Sequence, residues 1–496
     1  MESPQLAEAD HQLRVVFLPF SSTSHIIPVV DIARIFAIFG VDVTIIATPA
    51  NAAIFQKSID RDSARGRPIR THIVKFPFAE VGLPEGIENF NADTPPHTPS
   101  KIFQGLSLLR DQFEQLFEDY QADCIVTDMF FPWSVETAAK MNIPRLIFLN
   151  GSCLAHALEH AIDKYQPHRR VESGTDSFVI PGLPHELRMT LLQVPDWLRT
   201  TNTFTHMMNA IKDAERKSFG SLFNSFSALD GDYTEHYKKI MGTKSWGVGP
   251  VSLWANQGED KAERGRANVK EEEGWLKWLN TKVEDSVIYV SFGSMNKFPP
   301  SQLIEIAHGL ESSGHDFIWV IPKKEKGHEG VEFLEEFEKR VKETNKGYVF
   351  KGWAPQLLIL DHPAIGGIVT HCGWNTIVES VNAGLPMVTW PLFAEQFGNE
   401  KLLVDVLKIA VPVGSKEWRN WNDFAEETAV TREEVRKAVA SLMGEAEEAR
   451  ERRRKAKELS QEAKKAIEVG GSSYNSVKEI IEEIRAFKSR KVITKA

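Results

Sequence analysis

Cysteine is scarce: the 496 residues hold three, Cys124, Cys153 and Cys372, with no CxxC spacing. So sparse and odd a set fits free thiols in a reducing compartment, not a disulfide framework. Long apolar runs are missing too. None approaches the ~20 residues that cross a bilayer, and the opening "MESPQLAEAD" lacks the basic-then-apolar order of a secretion signal. There is no basic excess. The net charge is −9, from 59 Lys+Arg against 68 Asp+Glu, which argues against a nucleic-acid partner. Several motifs are also absent. "WGVGPVS" (246–252) lacks the third glycine of a dinucleotide-binding turn, no G-x-x-x-x-G-K-[ST] occurs, and no G-x-S-x-G occurs. These absences leave an expected soluble, cytoplasmic monomer without a transmembrane segment.

Apolar strands alternating with amphipathic helices fill what remains. "LRVVFLPF" (13–20), "VDVTIIAT" (41–48), "IRTHIVKF" (69–76), "DCIVTD" (123–128) and "PRLIFLN" (144–150) read as strands, with helices at 99–120 and 132–140. Residues 251–274 are charged, have no apolar period, and read as an exposed linker. The alternation restarts with "SVIYVSFGS" (286–294), "DFIWVI" (316–321), "GYVFKG" (347–352), "GGIVTH" (366–371), "PMVTW" (386–390) and "AVPVG" (410–414). The tail is helical from 431 onward. Length favours two domains, and the pattern predicts an α/β fold of two Rossmann-like, doubly wound domains facing across a cleft. Their expected limits are 1–250 and 275–470, with a last helix in 471–496 packing back on the first domain. Ligands of such sheets sit at the carboxyl ends of the strands.

One segment concentrates polar chemistry at such an edge: "GGIVTHCGWNTIVESVNAGLPMVTWPLFAEQ", 366–396. His371 ends a buried strand, and a helix starts near Gly373, with Asn375 or Thr376 as the candidate cap. A helix N-terminus offers unpaired N–H groups and about half a positive charge, which suits a phosphate. Glu379 lies one turn further along the same face and is placed to accept from ribose hydroxyls. Glu395 and Gln396, after the next strand, form an acceptor-rich pair suited to a sugar. Taken singly, each residue has a plain structural reading; taken together, the spacing points to a sugar nucleotide.

The stretch from Trp353 to Gln396, "WAPQLLILDHPAIGGIVTHCGWNTIVESVNAGLPMVTWPLFAEQ", spans 44 residues. It closely resembles the signature box of plant family 1 UDP-sugar glycosyltransferases, and the likeness extends over essentially the whole chain. "TSHIIPVVDIAR", "KSWGVGPVSLWANQ" and "LKIAVPVGSKEWRNWN" are most similar to the legume subgroup that extends sugar chains on triterpenoid saponins. The resemblance implies GT-B architecture and a role for each position. Trp353 would stack on uracil, with the Ala354 backbone and Gln356 on base and ribose. His371, Gly373, Asn375, Thr376 and Ser294 would hold the diphosphate and Glu379 the ribose. Trp374, Glu395 and Gln396 would address the sugar. Thr376 stands where Ser is commoner and Glu395 where Asp is commoner, so the functional groups are kept.

Transfer also needs a base, since an alcohol ionises far above neutral pH. His25 closes "PFSSTSH" after the first strand and Asp128 ends "CIVTD"; the resemblance makes them the catalytic dyad, with Asp128 orienting the ring. Ser24 replaces the glycine common before that histidine. The implied reaction is inverting displacement without a covalent intermediate, needing no cofactor or metal. His156 and His160, at i, i+4, lack the further ligands of a metal site.

Gln396 favours glucose by resemblance, but the saponin subgroup includes glucuronic acid donors, so UDP-glucose and UDP-glucuronic acid both stay open. Arg34 is the candidate partner for a uronic carboxylate, against the plainer reading of a pair with Asp31 or solvent. Phe90, Met129, Phe130 and Trp133 are candidate acceptor contacts, or ordinary core. A flavonoid or phenolic O-glucosyltransferase, and a non-catalytic UDP-sugar-binding protein, are the alternatives to a triterpenoid-modifying enzyme.

Overall fold

A computed structural model describes residues 12–90, 94, 98–255, 258, 260–261, 272–296, 298–321, 331–420 and 429–495. The first domain is built on a parallel sheet whose strands are β1 (Arg14–Leu18), β2 (Asp42–Ala47), β3 (Ile69–Ile73), β4 (Cys124–Asp128), β5 (Arg145–Leu149), β8 (Gly220–Phe223) and β9 (Lys244–Gly247). Their spatial order is β3-β2-β1-β4-β5-β8-β9. Between β5 and β8 a two-stranded antiparallel ribbon, β6 (Ser177–Val179) and β7 (Arg188–Thr190), is inserted. The second domain holds β10 (Val287–Ser291), β11 (Asp316–Ile321), β12 (Gly347–Lys351), β13 (Ile365–Thr370), β14 (Met387–Thr389) and β15 (Ala410–Pro412), in order β12-β11-β10-β13-β14-β15. Strands such as VIYVS and RLIFL are buried at every position, because helices cover both faces of a parallel sheet.

Each sheet reverses direction once. The first runs outward from β1 to β3 and returns with β4 on the other side of β1; the second does the same with β10 and β13. At such a switch point the connections diverge and leave a crevice at the carboxyl ends of the strands. His25 and Asp128 stand at the first crevice, Ser294 and His371 at the second.

Three expectations change. The helix anticipated over 99–120 is two, Thr98–Leu108 and Arg110–Asp119, broken at Leu109. The start of the supposed linker is structured: Val251–Ala255 is helical, with Val251 and Ser252 buried, and Asp260 is buried among arginines. Residues 262–271 of that segment lie outside the described residues. Strands β8 and β9 were not anticipated. The helix Ser472–Lys495 sends Val477, Ile480, Ile481 and Ile484 into the core of the first domain. Outside that core, Lys488 reaches Asp123 at 2.9 Å and Lys244 reaches Glu483 at 2.7 Å. Among the described residues no helix is long and apolar enough to cross a membrane.

Candidate active site

Strand β1 runs out at Leu18 and the chain turns through Ser22 into the helix Thr23–Ile38, which puts His25 in its first turn. Asp128 is the last residue of the adjacent strand β4 and fully buried. His25 Nδ1 lies 2.8 Å from Asp128 Oδ2, while Asp128 Oδ1 accepts from the Phe130 N–H at 3.1 Å. A carboxylate only accepts, so Nδ1 carries the proton and Nε2 keeps its lone pair for the cleft. Burial pulls the His25 pKa down, but the charge and hydrogen bond of Asp128, with a smaller contribution from Glu395, leave it raised above 6.5.

The facing wall is built round His371. Gly293, with φ of +75°, and Gly373 both press against its ring: a Cβ would fall 2.6 Å from His371 Cε1 at Gly293 and 2.3 Å from Nε2 at Gly373. Only glycine allows that approach. Burial lowers the His371 pKa to about 4, so the ring is neutral. The helix Trp374–Ala383 starts two or three residues earlier than a cap at Asn375 or Thr376 implies, with Gly373 at its cap; Asn375 and Thr376 therefore lie inside the first turn. Asn375 Nδ2 donates across the cleft to the Ser24 carbonyl at 2.6 Å.

Among the described residues, three buried polar atoms on this cleft have no hydrogen-bond partner: His371 Nδ1, Asn375 Oδ1 and Asn150 Oδ1. Each such atom costs about 1–3 kcal/mol, a cost removed by a ligand rich in hydroxyl and phosphate groups. The cleft, of about 270 Å³, also carries Ser294, Trp353, Ala354, Gln356, Thr376, Glu379, Glu395 and Gln396. Trp353 is 40% exposed, a flat ring offered to solvent. Gln356 Nε2 donates to Glu379 Oε2 at 2.7 Å, tying the two together. Gln396 Oε1 accepts from the Leu392 and Phe393 N–H groups at 2.9 and 3.0 Å, which fixes the amide orientation. Burial raises the Glu395 pKa, partly opposed by His25.

Other candidates fall elsewhere. Trp374 borders the cleft, but its indole N–H is given to the Asn224 carbonyl at 2.9 Å, a link between the domains. Arg34 is 1% exposed and faces Asp62 at 2.6 Å, Asp260 at 2.8 Å and Asp31 at 3.7 Å. It is a core ion-pair centre away from the cleft, and not a sugar contact. Met129 is buried in the core, and Trp133 stacks on Phe113 with Arg110 over it; neither borders the cleft. Phe130 and Phe90 do stay near the dyad: Phe130 lies 5.4 Å from the His25 ring, and both pack on Phe20. Phe20 and Phe103 complete that aromatic wall. The sequence reading missed them, and it missed Asn150 as a cleft residue although "PRLIFLN" places it at a strand's carboxyl end. The Asp-x-Asp triplets at 60–62 and 230–232 are off the cleft, with Asp62 held by Arg34 and Arg67 and Asp230 by Ser225 and the Cys153 N–H. His156 Nε2 is bonded to the Asn150 carbonyl at 3.1 Å.

Comparison with known proteins agrees with this geometry. The family model described as UDP-glucoronosyl and UDP-glucosyl transferase matches residues 107–417. Soyasapogenol B glucuronide galactosyltransferase of Glycine max is 65% identical over 482 residues, 97% of each chain. UDP-glucosyl transferase 73DL1 of Saponaria officinalis is 42% identical over 96% of each chain. The crystal structure of Glycyrrhiza uralensis UGT73P12 complexed with glycyrrhetinic acid 3-O-monoglucuronide matches with a TM-score of 0.94 and 61% identity, covering 98% of each chain. With two switch points facing across one cleft, the chain belongs to the UDP-glucuronosyl and UDP-glucosyl transferase family and is a UDP-glycosyltransferase of GT-B architecture.

Proposed function

We propose that the protein extends the sugar chain of a triterpenoid glycoside in the cytosol, moving a neutral hexose from a UDP-sugar to an acceptor hydroxyl with inversion. The observation that carries this is the His25–Asp128 pair set across one cleft from the N-terminus of the helix Trp374–Ala383. His25 Nε2 takes the hydroxyl proton while the acceptor oxygen bonds the anomeric carbon. The bond from that carbon to the β-phosphate oxygen breaks, and its electron pair leaves with UDP. Asp128 holds the tautomer and stabilises the imidazolium as it forms. The charge growing on the diphosphate meets the helix N–H groups, the neutral His371 and the Ser294 hydroxyl, so no metal enters the proposal. Trp353 stacks on the base, Gln356 and Glu379 hold base and ribose, and Glu395 and Gln396 receive the hexose.

The acceptor class rests on the relatives that act on, or were crystallised with, triterpenoid glucuronides. It is consistent with the apolar wall of Phe20, Phe90, Phe103 and Phe130 beside the base. A neutral donor follows from the charges. Among the described residues lining the cleft, Lys261 is the only lysine or arginine, and it pairs with Asp361 at 2.5 Å; Glu395 adds a carboxyl on the sugar side. The 65% identical relative uses galactose, which makes UDP-galactose the first donor to try. Glucose is the second reading, carried by Gln396. The test is UDP release on a triterpenoid 3-O-monoglucuronide with UDP-galactose, UDP-glucose and UDP-glucuronic acid in turn. Turnover confined to the uronic donor, or none with this acceptor, overturns the proposal.

A further inference from the structure

The sugar side of the cleft is formed by a segment without regular structure, Phe393–Glu395, leading into Gln396. Its backbone is braced by residues beyond β15. Ser415 Oγ donates to the Pro391 carbonyl at 2.7 Å, the Arg419 N–H to the Leu392 carbonyl at 2.9 Å, and Trp418 Nε1 to the Ala394 carbonyl at 3.0 Å. Ala394 has φ of +50°, a left-handed conformation that a residue with a Cβ adopts only where its surroundings impose it. The indole of Trp418 is one of the groups that impose it.

The same tryptophan is one of the places where the first domain reaches this segment, beside Gly151 against Glu395 and Ser152 on Asn399. The Trp418 backbone N–H donates to the Leu192 carbonyl at 2.8 Å, and its ring meets Trp197 edge-on with centroids 5.2 Å apart. Leu192 and Trp197 belong to the insertion between β5 and β8 and do not border the cleft. One residue thus bonds the backbone between Phe393 and Glu395 on one side and the opposite domain on the other.

The geometry points to Trp418 as a positioning residue for the donor sugar: docking of the first domain's insertion on Trp418 sets the Ala394 carbonyl, and with it the placement of Glu395 and Gln396. Closure of the two domains and formation of the hexose subsite are then one event. This rests on the UDP-sugar reading of the cleft. A tryptophan with a merely structural part acts alike on UDP and on UDP-sugars; a positioning residue acts on the hexosyl part alone.

Trp418→Phe removes the indole N–H that holds the Ala394 carbonyl and keeps the backbone bond to Leu192 and a ring against Trp197. Calorimetric titration of the full chain with UDP, UDP-galactose and UDP-glucose, alongside a thermal melt, provides the test. UDP should bind the variant within about twofold of wild type, while the hexose donor the wild type favours should weaken about fivefold to thirtyfold, the range for one lost buried hydrogen bond. Trp197→Leu, in the other domain, should reproduce the selectivity in milder form. Equal weakening of UDP and UDP-hexose, or no change in either, overturns the assignment. A wild-type protein that binds none of the three overturns the UDP-sugar reading and this inference with it.

Discussion

His25 and Asp128 are 103 residues apart in the chain and 2.8 Å apart in space, brought together by the adjacency of β1 and β4. The neutral ring is the competent base, so activity is present above its pKa and is lost as pH falls through it. Because Asp128 raises that pKa, the acid limb of kcat/KM should lie above 6.5. Asp128→Asn should move the limb to lower pH and cut kcat by about 10²–10⁴. A pH–rate profile of both proteins checks the sign; a limb that stays in place removes Asp128 from the pair's electrostatics.

Gly373→Ala should weaken the donor site without unfolding the protein. Its φ of −63° suits any residue, yet a Cβ there lies 2.3 Å from His371 Nε2, so the ring must swing out of place. The expected rise in KM for the UDP-sugar is about tenfold or more, the loss of roughly one well-placed hydrogen bond to a charged group. Steady-state kinetics with a circular dichroism control decides it.

Arg34→Ala should act on stability and leave donor choice alone. Removing the cation takes the buried partner from Asp62 and Asp260, which keep the more exposed Arg67 and Arg61. The loss should be measurable but below the ~3–5 kcal/mol of a buried pair broken from one side with no partner left. Denaturant melts should show that loss, while the ratio of rates with different UDP-sugars stays as in wild type. A selective loss with a uronic donor would restore Arg34 as a sugar contact.

Charge on the sugar side gives a fourth outcome. UDP-glucuronic acid should be used at least about tenfold less well than the favoured UDP-hexose, since a like charge placed beside Glu395 costs energy. Glu395→Gln should narrow that ratio by relieving the repulsion. Competition between the two donors at equal concentration reads both effects.

The sheet strands were legible because burial on both faces makes them uninterrupted apolar runs, as in "DFIWVI", found over Asp316–Ile321. Strands β8 and β9 escaped notice. They are four residues each, and GSLF and KSWG interleave polar groups that the fold buries, Ser221 and Ser245 among them. The placement of His371 and Glu379 in one cleft followed from spacing along one segment, and that of Gln356 from the resemblance to the glycosyltransferase box. Arg34 did not, because its partners Asp62 and Asp260 are distant in sequence and nothing local marks them. The inter-domain bond of Trp374 was not legible for a related reason: its motif lies in the donor domain, while its hydrogen-bond acceptor, Asn224, lies in the other.

The chain passes between its domains twice, before Glu272–Leu279 and again after Ile467, where Ser472–Lys495 returns to the first domain. The two crossings tie the domains together at two separate points of the chain. The first domain is in turn discontinuous in sequence: a fragment ending at residue 250 lacks the helix that covers Leu222 and Trp246. Cutting the chain within 262–271 should therefore yield two fragments that stay together, since each holds part of the same core.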